Sequence, residues 1–270
     1  MNPRVLATDL DGTFIPLEGD KQNLLDLEIL RDQLEQQDTT LVYVSGRHLA
    51  IIEDAIREHD LPQPDWIIGN VGTAIYGKNP EGWTEEPAYH QHLASLCGEM
   101  SALRLQSITR SIEGLILQEQ EKLSEYKVSF YTDPKELDEL VTRITDRLAE
   151  VNSAWTLISS IDPFTGDGLI DLLPHGVSKA LAIQWWCDHH DWDQREVVYA
   201  GDSGNDLAAL TAGYRAIVVG NADRRLAKQV RDEHEAKQWS NRMHLAEAVA
   251  TSGVLEGCRA FGLLPESDQP

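Results

Sequence analysis

Short apolar runs that stop at acidic or glycine-rich turns, each followed by a stretch with leucine or isoleucine every three or four residues, constrain the fold of this chain most strongly. The run RVLAT leads into QNLLDLEILRDQLEQQ, where Leu24, Leu27, Leu30 and Leu34 fall at helical spacing, and TTLVYVSGR then reads as a buried strand. HLAIIEDAIREHDL repeats the helical pattern with Ile51, Ile52, Ala55 and Ile56 on one side, and DWIIGN supplies the next strand before a Gly-Thr turn. Strands alternating with amphipathic helices predict an α/β fold, a Rossmann-like doubly wound parallel sheet with helices on both faces.

From about Gly77 the rhythm changes. KNPEGWTEEP reads as a Pro/Gly/Glu linker and AYHQHLASLCGEMSAL as a helix, with EGLILQ and YKVSFYTD as strands. A further helix spans PKELDELVTRITDRLAEV, and WTLISSI and GLIDLLP are two more strands. This order predicts an α+β module inserted as a unit at 80–173, splitting the first domain into 1–79 and 174–270. KNPEGW and LLPHG are its expected hinges. After Pro174 the doubly wound rhythm returns with SKALAIQWWCDHH, EVVYAG, NDLAALTAG and YRAIVVG, followed by helical segments and a frayed tail, ESDQP.

With 45 acidic against 23 basic residues, the net charge of -22 opposes binding to nucleic acid, whose phosphates would be repelled. No apolar run approaches the length of a membrane span, and MNPRVLATDL lacks the layout of a signal peptide, so a cytoplasmic location is expected. Cys97, Cys187 and Cys258 have neither disulfide nor zinc spacing and read as idle thiols. The acidity has a chemical consequence: an anionic ligand can be held only where local cations reverse the field.

Chemistry-bearing residues gather at four places where a core strand ends or a core helix begins, the edge at which open α/β sheets bind ligands. The first is Asp9-Leu10-Asp11-Gly12-Thr13. A strand end with an Asx turn explains one carboxylate but not both, because two like charges at a buried edge need a cation or a proton between them. The second is Ser45-Gly46-Arg47, a hydroxyl and free N–H groups at a helix start, which can cradle an anion or simply cap the helix. The third is Lys179, a cation in the first turn of a helix, where the helix dipole disfavours it unless an anion is present. The fourth is Gly201-Asp202-Ser203-Gly204-Asn205-Asp206, whose Asp202 and Asp206 can address one hard cation through oxygen. Together, acids able to hold Mg²⁺, a lysine and a Ser/Gly cradle make a site for a phosphoryl group, with one aspartate as nucleophile and its neighbour as acid/base.

In this order the four places resemble the signatures of the haloacid dehalogenase superfamily of phosphatases, and the inserted module resembles its smaller C2-type cap. DLDGTF, VSGR, PDWIIGNVGTAIY, KVSFYTD, DLLPHGVSK and GDSGND are similar to sucrose-phosphate phosphatases and their mannosylfructose-phosphate relatives. The resemblance implies Asp9 as nucleophile, forming an aspartyl-phosphate, and Asp11 as the acid/base. It implies Mg²⁺ held by the Asp9 and Asp202 carboxylates and the Asp11 carbonyl, with Asp206 beside it. Ser45, Gly46, Asn205 and Lys179 would bind phosphoryl oxygens.

Specificity is expected from the cap. Lys127, with Ser129 and Tyr131 alternating on its side of a strand, is a candidate for sugar or phosphate contact, as are Arg47, Asn70 and Thr73. The Trp185-Trp186 pair reads as core, and His90, His92, His189 and His190 as surface. The implied activity is hydrolysis of a sugar phosphate, sucrose 6-phosphate first, with association with the upstream synthase as an implied partnership. Mannosylfructose phosphate, a broad sugar-phosphate range, a phosphomutase, and an idle sugar-phosphate-binding or synthase-docking module remain open alternatives.

Overall fold

The computed structural model describes residues 2–162, 165–239 and 241–266. The first run of elements is β1 (Val5–Thr8), α1 (Lys21–Gln36), β2 (Thr40–Val44), α2 (Leu49–Glu58), β3 (Trp66–Gly69), β4 (Ala74–Asn79) and β5 (Gly82–Glu85). The second is α3 (Pro87–Leu96), α4 (Ala102–Thr109), β6 (Ile116–Leu117), β7 (Val128–Thr132), α5 (Leu137–Glu150), β8 (Trp155–Ile161) and β9 (Gly168–Pro174). The third is α6 (Lys179–His189), β10 (Val197–Gly201), α7 (Leu207–Leu210), β11 (Arg215–Val218), α8 (Arg224–Ala236), β12 (Met243–Leu245) and α9 (Ala250–Ala260).

Among the described residues the strands form two sheets, one ordered β12-β11-β10-β1-β2-β3-β4-β5 and one ordered β6-β7-β9-β8. The large sheet is parallel from β12 to β3, with β4 and β5 added antiparallel at the edge. Val5 of β1 pairs with Thr40 on one side and Val197 on the other. The chain therefore runs outward through β2 and β3, then returns to the opposite side of β1 as β10. Strand order reverses between β1 and β10, and the crevice outside their carboxyl ends is where such sheets bind ligands.

Strand alternation explains the two layers. Val5, Ala7, Val42, Val197 and Tyr199 face Ala182, Ile183 and Trp186 of α6, whereas Leu6, Tyr43, Val198 and Ala200 face α1, α2 and α9. Burial on both faces accounts for the nearly unbroken apolar runs in these strands. The first layer continues through Tyr89 and Leu93 of α3 into the smaller sheet, where Val128, Phe130, Ile170 and Leu172 pack on Leu140 and Ile144 of α5.

Several expectations change. KNPEGWTEEP is not a free linker: β4 and β5 form a hairpin on the large sheet, so the boundary expected at 79/80 falls inside its turn. The helix expected over 88–103 breaks into α3 and α4, with Gly98 at a positive φ of 59° and Ser101 capping the second helix through the Arg104 N–H. Leu24 points outward, and Asn23 takes the buried position, donating to the Ser252 hydroxyl and the Val249 carbonyl. β12, only three residues long, lies in a stretch expected to be helical. His190 is half-buried with its ring against Trp66, while Trp185 and Trp186 are buried as expected. The three cysteines are free and buried. Most of the expected tail, 267–270, lies outside the described residues.

Candidate active site

Asp9 follows β1 directly and is 4% exposed, its backbone N–H bonded to the Ala200 carbonyl of β10 at 2.9 Å. The chain then turns through Gly12, which has φ 73°; a Cβ there would stand 2.5 Å from Oδ2 of Asp202. Glycine at this position therefore lets the Asp202 carboxylate close on the first motif. The Thr13 hydroxyl donates to the other Asp202 oxygen at 3.1 Å. DLDGT and GDSGND are thus packed directly against each other across the switch point.

Lys179 opens α6 and is fully buried, donating from Nζ to Oδ1 of Asp9 at 2.6 Å and to Oδ1 of Asp206 at 2.7 Å. Its helix start rests on the turn Asn70-Val71-Gly72. At Gly72, with φ 92°, a Cβ would stand 2.5 Å from the Ser178 carbonyl oxygen. Val71 is held at φ 60°, a left-handed conformation that costs a β-branched residue on the order of 1–3 kcal/mol. The turn is tied to the second motif by Val71 N–H to the Ser45 carbonyl, 3.0 Å, and Asn70 N–H to the Arg47 carbonyl, 2.9 Å. Asn70 and Thr73, expected as sugar or phosphate contacts, are part of this brace. The Thr73 hydroxyl bonds the Asn70 carbonyl, and neither residue lines the cavity described below.

Asp206 is fully buried and engaged at both oxygens. Oδ1 accepts from Lys179 and from the Tyr199 hydroxyl, and Oδ2 accepts from the backbone N–H groups of Asp202 and Ser203. Burial pushes the Asp9 carboxyl well up, Lys179 opposing and Asp206, Asp202 and Asp11 adding. The Asp202 carboxyl is pushed up to about 7, by burial first and then by the Asp206 charge. Burial would lower Lys179, but the Asp206 and Asp9 carboxylates outweigh it and keep the ammonium charged. Three carboxylates face one lysine, and the remaining negative charge calls for a cation or a proton. Carboxylate oxygens of Asp9, Asp202 and Asp206 lie within 4.8 Å of one another, a hard-oxygen set that fits Mg²⁺. With Asp206 already engaged, Asp9 and Asp202 are the carboxylates with capacity left for an ion, and Asp206 acts as a brace.

Asp11, two residues on, is held by Arg47 in a two-point contact, Nε to Oδ2 at 2.7 Å and Nη2 to Oδ1 at 2.5 Å. Each side chain keeps about a quarter of its surface exposed, 25% for Arg47 and 23% for Asp11. The contact takes up both oxygens of Asp11. Opposite lies the cradle: the Ser45 hydroxyl caps the Arg47 N–H, and the Asn205 amide nitrogen lies 3.8 Å from where a Gly46 Cβ would stand.

Above this cluster lies a cavity of about 390 Å³ roofed by the smaller sheet. Asp9, Asp11, Gly46, Arg47, Lys127 and Asn205 line it, while Ser45, Lys179, Asp202 and Asp206 lie outside its lining. Lys127 is buried and reaches across to the Gly46 carbonyl at 3.1 Å, and burial draws its pKa down with Asp171 opposing. The roof also contributes Gln118, Lys122, Tyr131, Ser160 and Asp171. The Ser129 hydroxyl donates to Asp171 at 2.5 Å, and the Tyr131 hydroxyl, contacted by Lys122, donates to Glu119 at 3.0 Å. β8 presses on the fourth motif so closely that a Cβ on Gly204 would meet the Ser159 carbonyl at 2.5 Å. Except for Lys127, Ser129 and Tyr131, these roof residues were not singled out by the sequence. The available signal is the alternation of β7 and β9, which puts Val128, Phe130, Ile170 and Leu172 on the opposite face.

The sucrose-phosphatase of Synechocystis sp. PCC6803, solved in complex with sucrose and phosphate, has the same fold: TM-score 0.79, 27% identity, 97% of this chain and 99% of that one covered. A mannosylfructose-phosphate phosphatase of Agrobacterium fabrum is 31% identical over 97% of this chain and 98% of its own. A putative HAD-like hydrolase of Nitrosococcus oceani is 34% identical over 95% of this chain and 71% of its own. The doubly wound core with its inserted cap is that of the haloacid dehalogenase superfamily, and the chain is a phosphoric monoester hydrolase of the sugar-phosphate class. The sequence profile of the sucrose-6F-phosphate phosphohydrolase family matches residues 2–262, and the chain belongs to that family.

Proposed function

We propose that the enzyme is a Mg²⁺-dependent phosphatase that hydrolyses a disaccharide monophosphate, sucrose 6-phosphate first, through an aspartyl-phosphate. The observation that carries this reading is Asp9 at the floor of a cavity, held from beneath by the buried Lys179, under a roof lined with amide, hydroxyl, ammonium and carboxylate groups. Lys179 grips one Asp9 oxygen and so fixes the carboxylate for attack on phosphorus. As the bond from phosphorus to the sugar oxygen breaks, Asp11 gives that oxygen a proton. Asp11, now a carboxylate, takes a proton from water, which attacks the aspartyl-phosphate to release phosphate and restore Asp9. Ser45, Gly46, Asn205 and Lys179 hold the phosphoryl oxygens. Mg²⁺, held by the Asp9 and Asp202 carboxylates and the Asp11 carbonyl, would supply positive charge against the transferring group. Phosphate release from sucrose 6-phosphate is expected with Mg²⁺ and is lost on chelation with EDTA; no release from any sugar phosphate would refute the reading.

Arg47 and Lys127 are the proposed cationic contacts to the substrate, and they supply positive charge in a chain whose net charge is -22. Lys127→Met should raise KM for the sugar phosphate by about tenfold, the size of one lost charged hydrogen bond. Turnover of p-nitrophenyl phosphate, which leaves the roof empty, is expected to stay within about twofold of wild type, since the phosphoryl contacts on the floor are untouched.

A second reading, mannosylfructose phosphate as substrate, is favoured by the full-length match to the Agrobacterium enzyme of that name. We extend the proposal to a cytoplasmic location and to association with the synthase that makes the sugar phosphate. No described helix is long and apolar enough to cross a membrane, and co-elution with the synthase tests the partnership.

A further inference from the structure

Tyr199 lies in the middle of β10, on the face shared with Val197, and is fully buried. A hydroxyl buried beside carboxylates has to be paired, and this one donates to Oδ1 of Asp206 at 2.5 Å. Lys179 donates to the same oxygen at 2.7 Å and to Asp9 at 2.6 Å. A lysine ammonium has three N–H donors, so Asp9 and Asp206 take two and a third can face a phosphoryl group. How hard each carboxylate pulls on the ammonium depends on what else it accepts. Tyr199 shares Oδ1 with Lys179, and backbone N–H groups of Asp202 and Ser203 occupy Oδ2, so the Asp206 charge is spread over several donors. Burial, with Asp206 and Asp9 adding, pushes the phenol pKa far up, so Tyr199 stays a donor.

We propose that Tyr199 is a positioning residue that acts through Asp206 to keep the Lys179 ammonium directed at Asp9 and the transferring phosphoryl group. It lies outside the four motifs and outside the cavity lining. The proposal rests on the phosphatase reading above. Without the hydroxyl, Asp206 draws Lys179 toward itself, and the loss falls where charge on the phosphoryl oxygens is greatest, in the transition state rather than in substrate binding.

Tyr199→Phe removes the oxygen alone. Its kcat is expected to fall about tenfold with KM within about twofold of wild type, and calorimetric affinity for orthovanadate, a mimic of five-coordinate phosphorus, should fall by the same factor. Site-specific 3-fluorotyrosine at 199 keeps the hydroxyl and should keep wild-type kcat and vanadate affinity. A Phe variant with unchanged kcat and vanadate affinity overturns the proposal, as does one whose loss is all in KM, one that fails to fold, or one matched in its losses by the fluorotyrosine protein. Wild-type protein that releases phosphate from no sugar phosphate overturns the phosphatase reading instead, and vanadate affinity then decides the role of Tyr199 separately.

Discussion

Asp9→Asn is expected to lower kcat by about 10⁴-fold or more while the protein still folds, because an amide cannot attack phosphorus and removing a covalent nucleophile costs losses of this order. The amide has the shape of the carboxylate, and its oxygen can still accept from Lys179, which donates to the Asp9 side chain. Burial and three neighbouring carboxylates already push the Asp9 carboxyl up, so neutralising it relieves repulsion inside the network. The measurement is phosphate release beside a urea unfolding curve. Turnover within about a hundredfold of wild type would mean that the nucleophile is another residue, since oxyanion and binding effects alone leave far less.

Lys179→Met should behave differently on the second of those axes. The ammonium is fully buried between Asp9 and Asp206, and removing it leaves two carboxylates facing each other without their counter-ion. Breaking a buried pair from one side costs about 3–5 kcal/mol of stability. Loss of a preorganised donor to the phosphoryl oxygens costs about 10²–10³ in kcat. Urea unfolding and phosphate release on the same sample check both halves. A Met variant as stable as wild type would mean that Lys179 is not what holds the acids together. Taken as a pair, the two substitutions separate chemistry from architecture: the first removes a reacting group, and the second removes a reacting-site cation that is also a structural tie.

The core strands and the four motifs were legible in the sequence because both are local. β1, β2 and β10 are short runs of apolar residues, and each motif sits within a few residues of a strand or helix end. The parallel sheet then does the rest, bringing Asp202 within hydrogen-bonding distance of Thr13 across 189 positions. What stayed hidden depends on contacts that spacing does not encode. Arg47 pairs with Asp11 across 36 positions, and nothing in SGR distinguishes a cation waiting for substrate from one engaged by a neighbouring carboxylate. Asn70 and Thr73 look like polar loop residues available to a ligand, but Gly72 seats the turn against Ser178 and turns it into a support for Lys179. The roof is hardest to read. Alternation in KVSFYT puts Tyr131 on the side of Lys127, but which face of that sheet meets the core is set by α5 packing on Val128 and Phe130. KNPEGW has the composition of a linker, and its pairing is visible only where β4 already lies at the edge of the sheet.

The most direct measurement is kcat/KM for phosphate release across sucrose 6-phosphate, mannosylfructose phosphate, trehalose 6-phosphate and simple hexose phosphates, with Mg²⁺ present. Sucrose 6-phosphate is expected to lead, with the hexose phosphates at least about tenfold behind because they forgo roof contacts worth 1–3 kcal/mol. Equal values across all of these substrates, or no release from any, would contradict a disaccharide-phosphate phosphatase.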